Sequence, residues 1–210
     1  MNYWTTRRPV RRQRAVDVSA LARAAVRLLD QGGLESLTVR AVAGELGVAP
    51  ASLYSRVDSV EDILDLALDT ALSEDPSMQA AITPAQEPRP AGAELDPLLL
   101  AFFRHLCAHP WAASVIARRA LRGPEYLRLS ERLCELLEDA GAADPLGASY
   151  AMSNFVIGSA ATSAVDADEM AVPVDPEIAP RYARLHDTHV ADSEEIVRRG
   201  VAALRSALTA

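Results

Sequence analysis

Between Val18 and Leu29 the apolar residues Val18, Leu21, Ala22, Ala25, Leu28 and Leu29 recur three and four apart, the spacing that draws one apolar stripe along an α-helix. That period returns along most of the chain and restricts the fold to packed helices. Asp17 stands where an N-cap belongs, and Gly32-Gly33 where the helix should stop. Leu34 and Leu37 bracket a polar turn. Thr38 is placed to cap a second helix with the face Val39, Val42, Ala43 and Leu46, closed by Gly47. Pro50 has no N–H to lose in a first turn, so the chain can restart at once into ASLYSR with Leu53 as its apolar anchor.

Ser59 can cap a further helix that turns Val60, Ile63, Leu64, Ala67, Leu68 and Ala71 to one side and Glu61, Asp62, Asp65 and Asp69 to the other. Residues 73–97 then carry Pro76, Pro84, Pro88, Pro90 and Pro97, which forbid a continuous helix and predict a loop or hinge. Helical patterns resume over Leu98–Ala108, Trp111–Leu121, Glu125–Ala140 and Leu146–Val165. After a proline-bearing gap from Met170 to Pro180 they continue over Arg181–Val190 and Ser193–Leu208. Ala, Leu, Arg and Glu dominate, residues that lose little side-chain freedom in a helix.

The formal charge of −8 is unevenly spread: residues 1–60 hold nine arginines against five acids, and the remainder twelve against 24. A basic head on an acidic body suits a nucleic-acid partner at one end. All 21 basic residues are arginine, which excludes Schiff-base or amine chemistry by lysine. Nucleophile elbow, complete metal motif and phosphate-cradling glycine loop are also missing, so neither an enzyme nor a cofactor is expected. Cys107 and Cys134 lack a CxxC spacing and an apolar leader, and read as free thiols in a cytoplasmic protein. The uncharged stretch Pro145–Val165 is too rich in Ser, Thr, Asn and Tyr for a membrane span and reads as a buried helix.

Helix, short glycine turn, second helix is the arrangement in which the second helix enters a DNA major groove while the first braces it. Close approach to base edges requires small or hydrogen-bonding outward residues, and Ala49, Pro50, Ala51, Ser52 and Ser55 meet that requirement. Tyr54 and Arg56 can reach phosphates or bases, while Leu53 and Val57 face inward. An ordinary helical hairpin has the same outline. Arg7, Arg8, Arg11, Arg12 and Arg14 form an arm that can track phosphates or enter a minor groove, or serve only as a solubilising tail.

GGLESLTVRAVAGELGVAPASLYSRVDSVEDILDLAL closely resembles the DNA-binding region of the tetracycline-repressor (TetR) family of bacterial transcriptional regulators. It matches in Leu37–Arg40, in the turn Leu46–Val48 and in Leu53-Tyr54. A looser similarity, through HPWAASVIARRALRGPEYLRLSERLCELLEDAG and Ser153–Gly158, is to the effector-binding domain of the tetracycline repressors. The resemblance implies an all-α homodimer that releases a palindromic operator when a small effector binds. In it Thr38, Arg40, Ser52, Tyr54 and Arg56 match DNA-facing positions, with Arg40 at one that reads a base. Two departures stand out. Asp58 and Val60 occupy places where many members carry lysine, and Ala49 replaces a Ser or Thr cap. The implied organisation is a basic arm over 1–16, a three-helix DNA-binding domain over 17–58 and a connecting helix over 59–72. A proline-rich loop over 73–97 and an effector-binding and dimerisation domain over 98–210 complete nine to ten helices.

In the larger domain Phe102, His105, Trp111, Tyr126, Tyr150, Asn154 and Phe155 could line an apolar pocket with a few polar contacts, or simply be core. His105/His109 and His186/His189 have spacings able to share a metal, but no acidic third ligand stands nearby, and a helix C-terminal cap near Pro110 suits His109 better. Small residues Ala148, Ala151, Gly158, Ala161 and Ala164 suit either a dimer interface or burial within one subunit, and the resemblance favours the dimer.

Overall fold

The structure is a computed structural model that describes residues 3–6, 16–85, 87, 90, 92–190 and 192–209. Among them are twelve helices and no strand. The arm arginines Arg7, Arg8, Arg11, Arg12 and Arg14 lie outside the described residues. A first short helix, α1, spans Tyr3–Thr6. The head follows with α2 (Val18–Ser36), α3 (Val39–Glu45) and α4 (Pro50–Leu53). Asp17 caps α2 as its position predicts, accepting from the N–H groups of Ser19 and Ala20. Helical hydrogen bonding resumes after a break at Gly32 and Gly33, where Gly33 takes the left-handed φ of 63° that other residues adopt at a cost. Leu21, Leu29, Leu37, Val42, Leu53 and Val57 close the core of the head.

The body comprises α5 (Val60–Glu74), α6 (Pro76–Ile82), α7 (Leu95–Ala108), α8 (Pro110–Arg118), α9 (Pro124–Asp139), α10 (Pro145–Ala171), α11 (Pro180–His186) and α12 (Ser193–Leu208). Its centre is filled by Leu98, Leu99, Phe102, Leu106, Leu137, Met152, Val156, Val197 and Val201. Helix α10 packs on α7, α9 and α12, and α5 joins head to body by packing on α2 and α9. No helix among the described residues is long and apolar enough to cross a membrane.

The proline-rich stretch is not simply a loop. Pro76 occupies the first turn of α6, and Asp75 caps it by accepting from Ser77 and Met78; Pro97 likewise sits in the first turn of α7. A proline in a first turn removes an N–H that would have had no helical partner. The larger departure is on α5. Asp62, Asp65 and Asp69, expected on its outer face, are buried. They persist there because each accepts N–H groups from outside the helix. Asp62 accepts from Asp58, Asp65 from Tyr3, and Asp69 from Glu125 and Tyr126 at the start of α9.

Candidate nucleic-acid interface and effector site

The turn between α3 and α4 is built by local hydrogen bonds. Thr38 Oγ1 accepts from Ala41 N–H at 3.0 Å, Gly47 reverses the chain with φ 64°, and Val48 N–H donates to the Ala43 carbonyl at 3.0 Å. Helix α4 is shorter than the sequence pattern suggests, since its backbone tightens after Leu53 into turns that end with Arg56 and Val57 donating to the Leu53 carbonyl. Ala49 supplies no side-chain cap. With Leu53 and Val57 buried, Pro50, Ala51, Ser52, Tyr54 and Ser55 are left exposed beside Thr38 and Arg40. Seven of the candidate DNA-facing residues are thus exposed on the head. Arg56 departs from them, being half-buried with its Nε enclosed and without a partner, and the Ser55 hydroxyl donates to the Ser52 carbonyl.

The two departures noted in the sequence separate here. Asp58 is exposed, whereas Val60 packs against the core at the start of α5. Ser59 caps that helix by accepting from Asp62 N–H, while the Asp62 carboxylate accepts from Asp58 N–H at 2.8 Å. The turn after α4 is thereby bound to the first turn of the connecting helix.

A second joint links α2 to α8. Asp30 Oδ1 accepts from the Trp111 indole N–H at 2.7 Å and lies 2.7 Å from His109 Nδ1. His105, fully enclosed, pairs through Nδ1 with Asp75 at 2.9 Å, between α5 and α6. Burial pushes the His105 imidazole down, against the opposing pull of Asp75, and Nε2 is left enclosed and unpaired. Burial alone would raise the Asp75 carboxyl, but hydrogen bonds from His105, Met78 and Ser77 outweigh it and hold it below the usual value. The rings of His105 and His109 approach to 4.9 Å, yet each turns to its own aspartate. No cluster of three metal-capable residues occurs among the described residues.

The seven residues proposed for the pocket stand in different surroundings. Phe102 is core, and His105 and Trp111 hold the joints just described. Tyr150 is 62% exposed and Asn154 also faces outward on α10, while Phe155 packs on Gly200 of α12. Aromatic residues at helical spacing serve core and surface alike, so sequence cannot sort them. Tyr126 lines a cleft with Trp4, Asp65, Leu68, Asp69, Leu121 and Gly123. Tyr126 titrates high because of burial and, secondarily, Tyr150. Burial raises Asp65 and lifts Asp69 to about 6, although the N–H groups of Glu125 and Tyr126 pull Asp69 the other way. A separate open groove of about 340 Å³ runs between α6 and α7, lined by Ser77, Ala80, Thr83, Pro97, Ala101 and Arg104. That is within the size range of small-molecule sites.

A braced helix-turn-helix head on a helical body defines a helical transcriptional regulator. The family model for bacterial regulatory proteins of the tetR family matches residues 21–66, and that for the tetracyclin repressor-like C-terminal domain matches residues 93–194. The chain belongs to the TetR family. It is 38% identical over 148 residues to an HTH-type transcriptional regulator of Saccharopolyspora erythraea, covering 68% of this chain and 58% of that protein. It is 33% identical over 161 residues to the HTH-type transcriptional repressor DrrR1 of Streptomyces coeruleorubidus, covering 75% and 58%. In each case the match spans less than two thirds of the relative's length. Among solved structures, the Streptomyces coelicolor TetR family protein ActR in complex with actinorhodin superposes with a TM-score of 0.73. The two are 25% identical, with 92% of this chain and 96% of that one covered.

Proposed function

We propose that the chain is a repressor that binds a palindromic operator as a homodimer and releases it when a small organic effector occupies the body. One observation carries the DNA-binding reading: Thr38, Arg40 and the outer residues of α4 are all exposed about a turn anchored by buried Leu53 and Val57. Small residues there allow the backbone to enter a major groove, and Arg40 can hold guanine through two hydrogen bonds. Asp58 opposes phosphate at one edge, which shifts the phosphate contacts toward the arm arginines Arg7, Arg8, Arg11 and Arg12.

The effector reading is supported by ActR, whose solved complex holds actinorhodin. The open groove between α6 and α7 offers room for such an effector, on elements that meet α5. A second copy would seat on α10 and α12. Tyr150, Asn154, Gly158 and Ala161 form an exposed face on the first, and Ile196, Ala203 and Ala207 one on the second. Two heads so paired would present α4 to successive major grooves about 34 to 36 Å apart.

A mobility-shift assay on DNA upstream of its own gene tests the proposal. Binding at low salt should weaken steeply as salt rises, and Arg40→Ala should lose preference for that DNA over an unrelated duplex. No retarded band at 50 mM salt would overturn the reading.

A further inference from the structure

The buried aspartate stripe of α5 meets the beginning of the chain in a way that the proposed function does not use. Tyr3 is 6% exposed, and its N–H donates to Asp65 Oδ2 at 3.1 Å. Its ring stands edge-on to Trp4, with centroids 5.0 Å apart. Trp4 lines the cleft with Asp65, Leu68, Asp69, Leu121, Gly123 and Tyr126, and no space for a water molecule is left there. An aromatic pair from α1 is thus inserted into the body, between the connecting helix and the start of α9.

The insertion is polar-mismatched. Trp4 Nε1 is enclosed without an acceptor. Asp65 uses Oδ2 for both Tyr3 and Arg119 Nη2, leaving Oδ1 enclosed and unpaired; Arg119 Nη1 beside it is unpaired too. Asp65 is 3% exposed, so water does not satisfy that oxygen. A buried acceptor without a donor is costly, and an occupant that brought a donor to it would be held more strongly than one that does not.

We propose that the cleft between α5, α9 and residues 119–123 is a binding site for a planar aromatic molecule bearing an N–H or O–H donor, and that Tyr3-Trp4 is its built-in, replaceable occupant. The donor addresses Asp65 Oδ1 while the ring takes the place of the Trp4 indole against Leu68, Leu121 and Tyr126. Trp4 stands three residues before Arg7 in the chain, so displacing Trp4 frees the segment that leads into the arm arginines. This deepens the effector reading above and rests on it for its regulatory consequence, but not for the binding site itself.

Indole is the probe, because it restores the ring that Trp4→Ala removes and carries one N–H donor. In calorimetry on the full chain, Trp4→Ala should bind indole with one site per chain, and the unaltered protein should bind it at least tenfold more weakly, because Trp4 competes. Adding Asp65→Ala to Trp4→Ala should remove most of that affinity. Equal indole affinity in the two parent proteins, or none in a folded Trp4→Ala, overturns the proposal. If Trp4→Ala fails to fold, acrylamide quenching decides in Trp111→Phe, where Trp4 is the remaining tryptophan. Protection at least threefold over the urea-unfolded chain supports the insertion, and quenching as free as in that chain refutes it. A mobility shift with the unaltered protein separates the two readings, since DNA binding can stand while the indole site fails.

Discussion

Asp69 and Gly123 allow the joint between the connecting helix and the body to be tested quantitatively. Gly123 precedes Pro124 at the start of α9 and has no side chain with which to cap it. Asp69 of α5 reaches across and accepts from Glu125 N–H at 2.8 Å and Tyr126 N–H at 3.4 Å. The backbone at Gly123, φ −62° and ψ 146°, suits any residue, so the requirement for glycine is purely one of space. A Cβ there would lie 2.3 Å from Asp69 Oδ1 and 2.8 Å from its Cγ. Gly123→Ala must therefore expel the carboxylate and break both hydrogen bonds. A lost cap costs about 1 kcal/mol, and stranding the buried partners adds about 1–3 kcal/mol, so the substitution should cost about 3 kcal/mol. At about pH 5, below the Asp69 value of about 6, Asp69→Ala alone should cost about 1–2 kcal/mol by losing the cap. With Asp69 already removed, the nearest remaining atom is the Cβ at 3.1 Å. Gly123→Ala should then cost under about 1 kcal/mol, helped by the reduced freedom of the unfolded chain. Urea unfolding of the four proteins should give a coupling of about 2 kcal/mol with unchanged m-values. Costs that add to within about 0.5 kcal/mol would refute the claim that Asp69 caps α9 through the space Gly123 leaves.

The same carboxylate sets a pH dependence. Burial holds Asp69 at about 6 against an ordinary 3.8, so its contribution is complete below pH 3.8 and fades as pH rises through 6. Subtracting the stability curve of Asp69→Asn from that of the unaltered protein should leave a decline of about 2 kcal/mol from pH 4 to 7, read by urea titration; a rising difference would contradict it. Ala49→Ser should supply the cap that α4 lacks and raise stability by about 0.5–1 kcal/mol in the same assay. At the contact between α10 and α12, a Cβ on Gly200 would meet Phe155 Cζ at 2.2 Å. Gly200→Ala should destabilise by about 1–3 kcal/mol through overpacking, and Phe155→Leu in that background should recover part of the loss.

Much of the head is legible in residue order because its determinants are local. Asp17, Thr38 and Ser59 cap the helices they precede, Gly47 reverses the turn, and Leu53 faces inward, each through bonds to residues at most a few positions away. The body resisted the same treatment. Tyr150 and Phe102 both lie in helices at apolar spacing, yet one is 62% exposed and the other 1%. Which face is covered depends on neighbours distant in the chain. Asp62, Asp65 and Asp69 misled most clearly, since carboxylates at helical spacing ordinarily mark a solvated face.

By itself the sequence determined the all-helical class, the helix-turn-helix head with its arginine-rich surroundings, and the family, because periodicity, caps and turn residues act through short-range sterics and hydrogen bonds. Only the tertiary structure decided that α5 carries a buried acidic stripe, that Val60 is core while Asp58 is exposed, and that Tyr3-Trp4 inserts beside Asp65. Burying a carboxylate is unfavourable until other segments bring N–H groups to it. Those donors, on Tyr3, Glu125 and Tyr126, lie some 56 to 62 residues away along the chain.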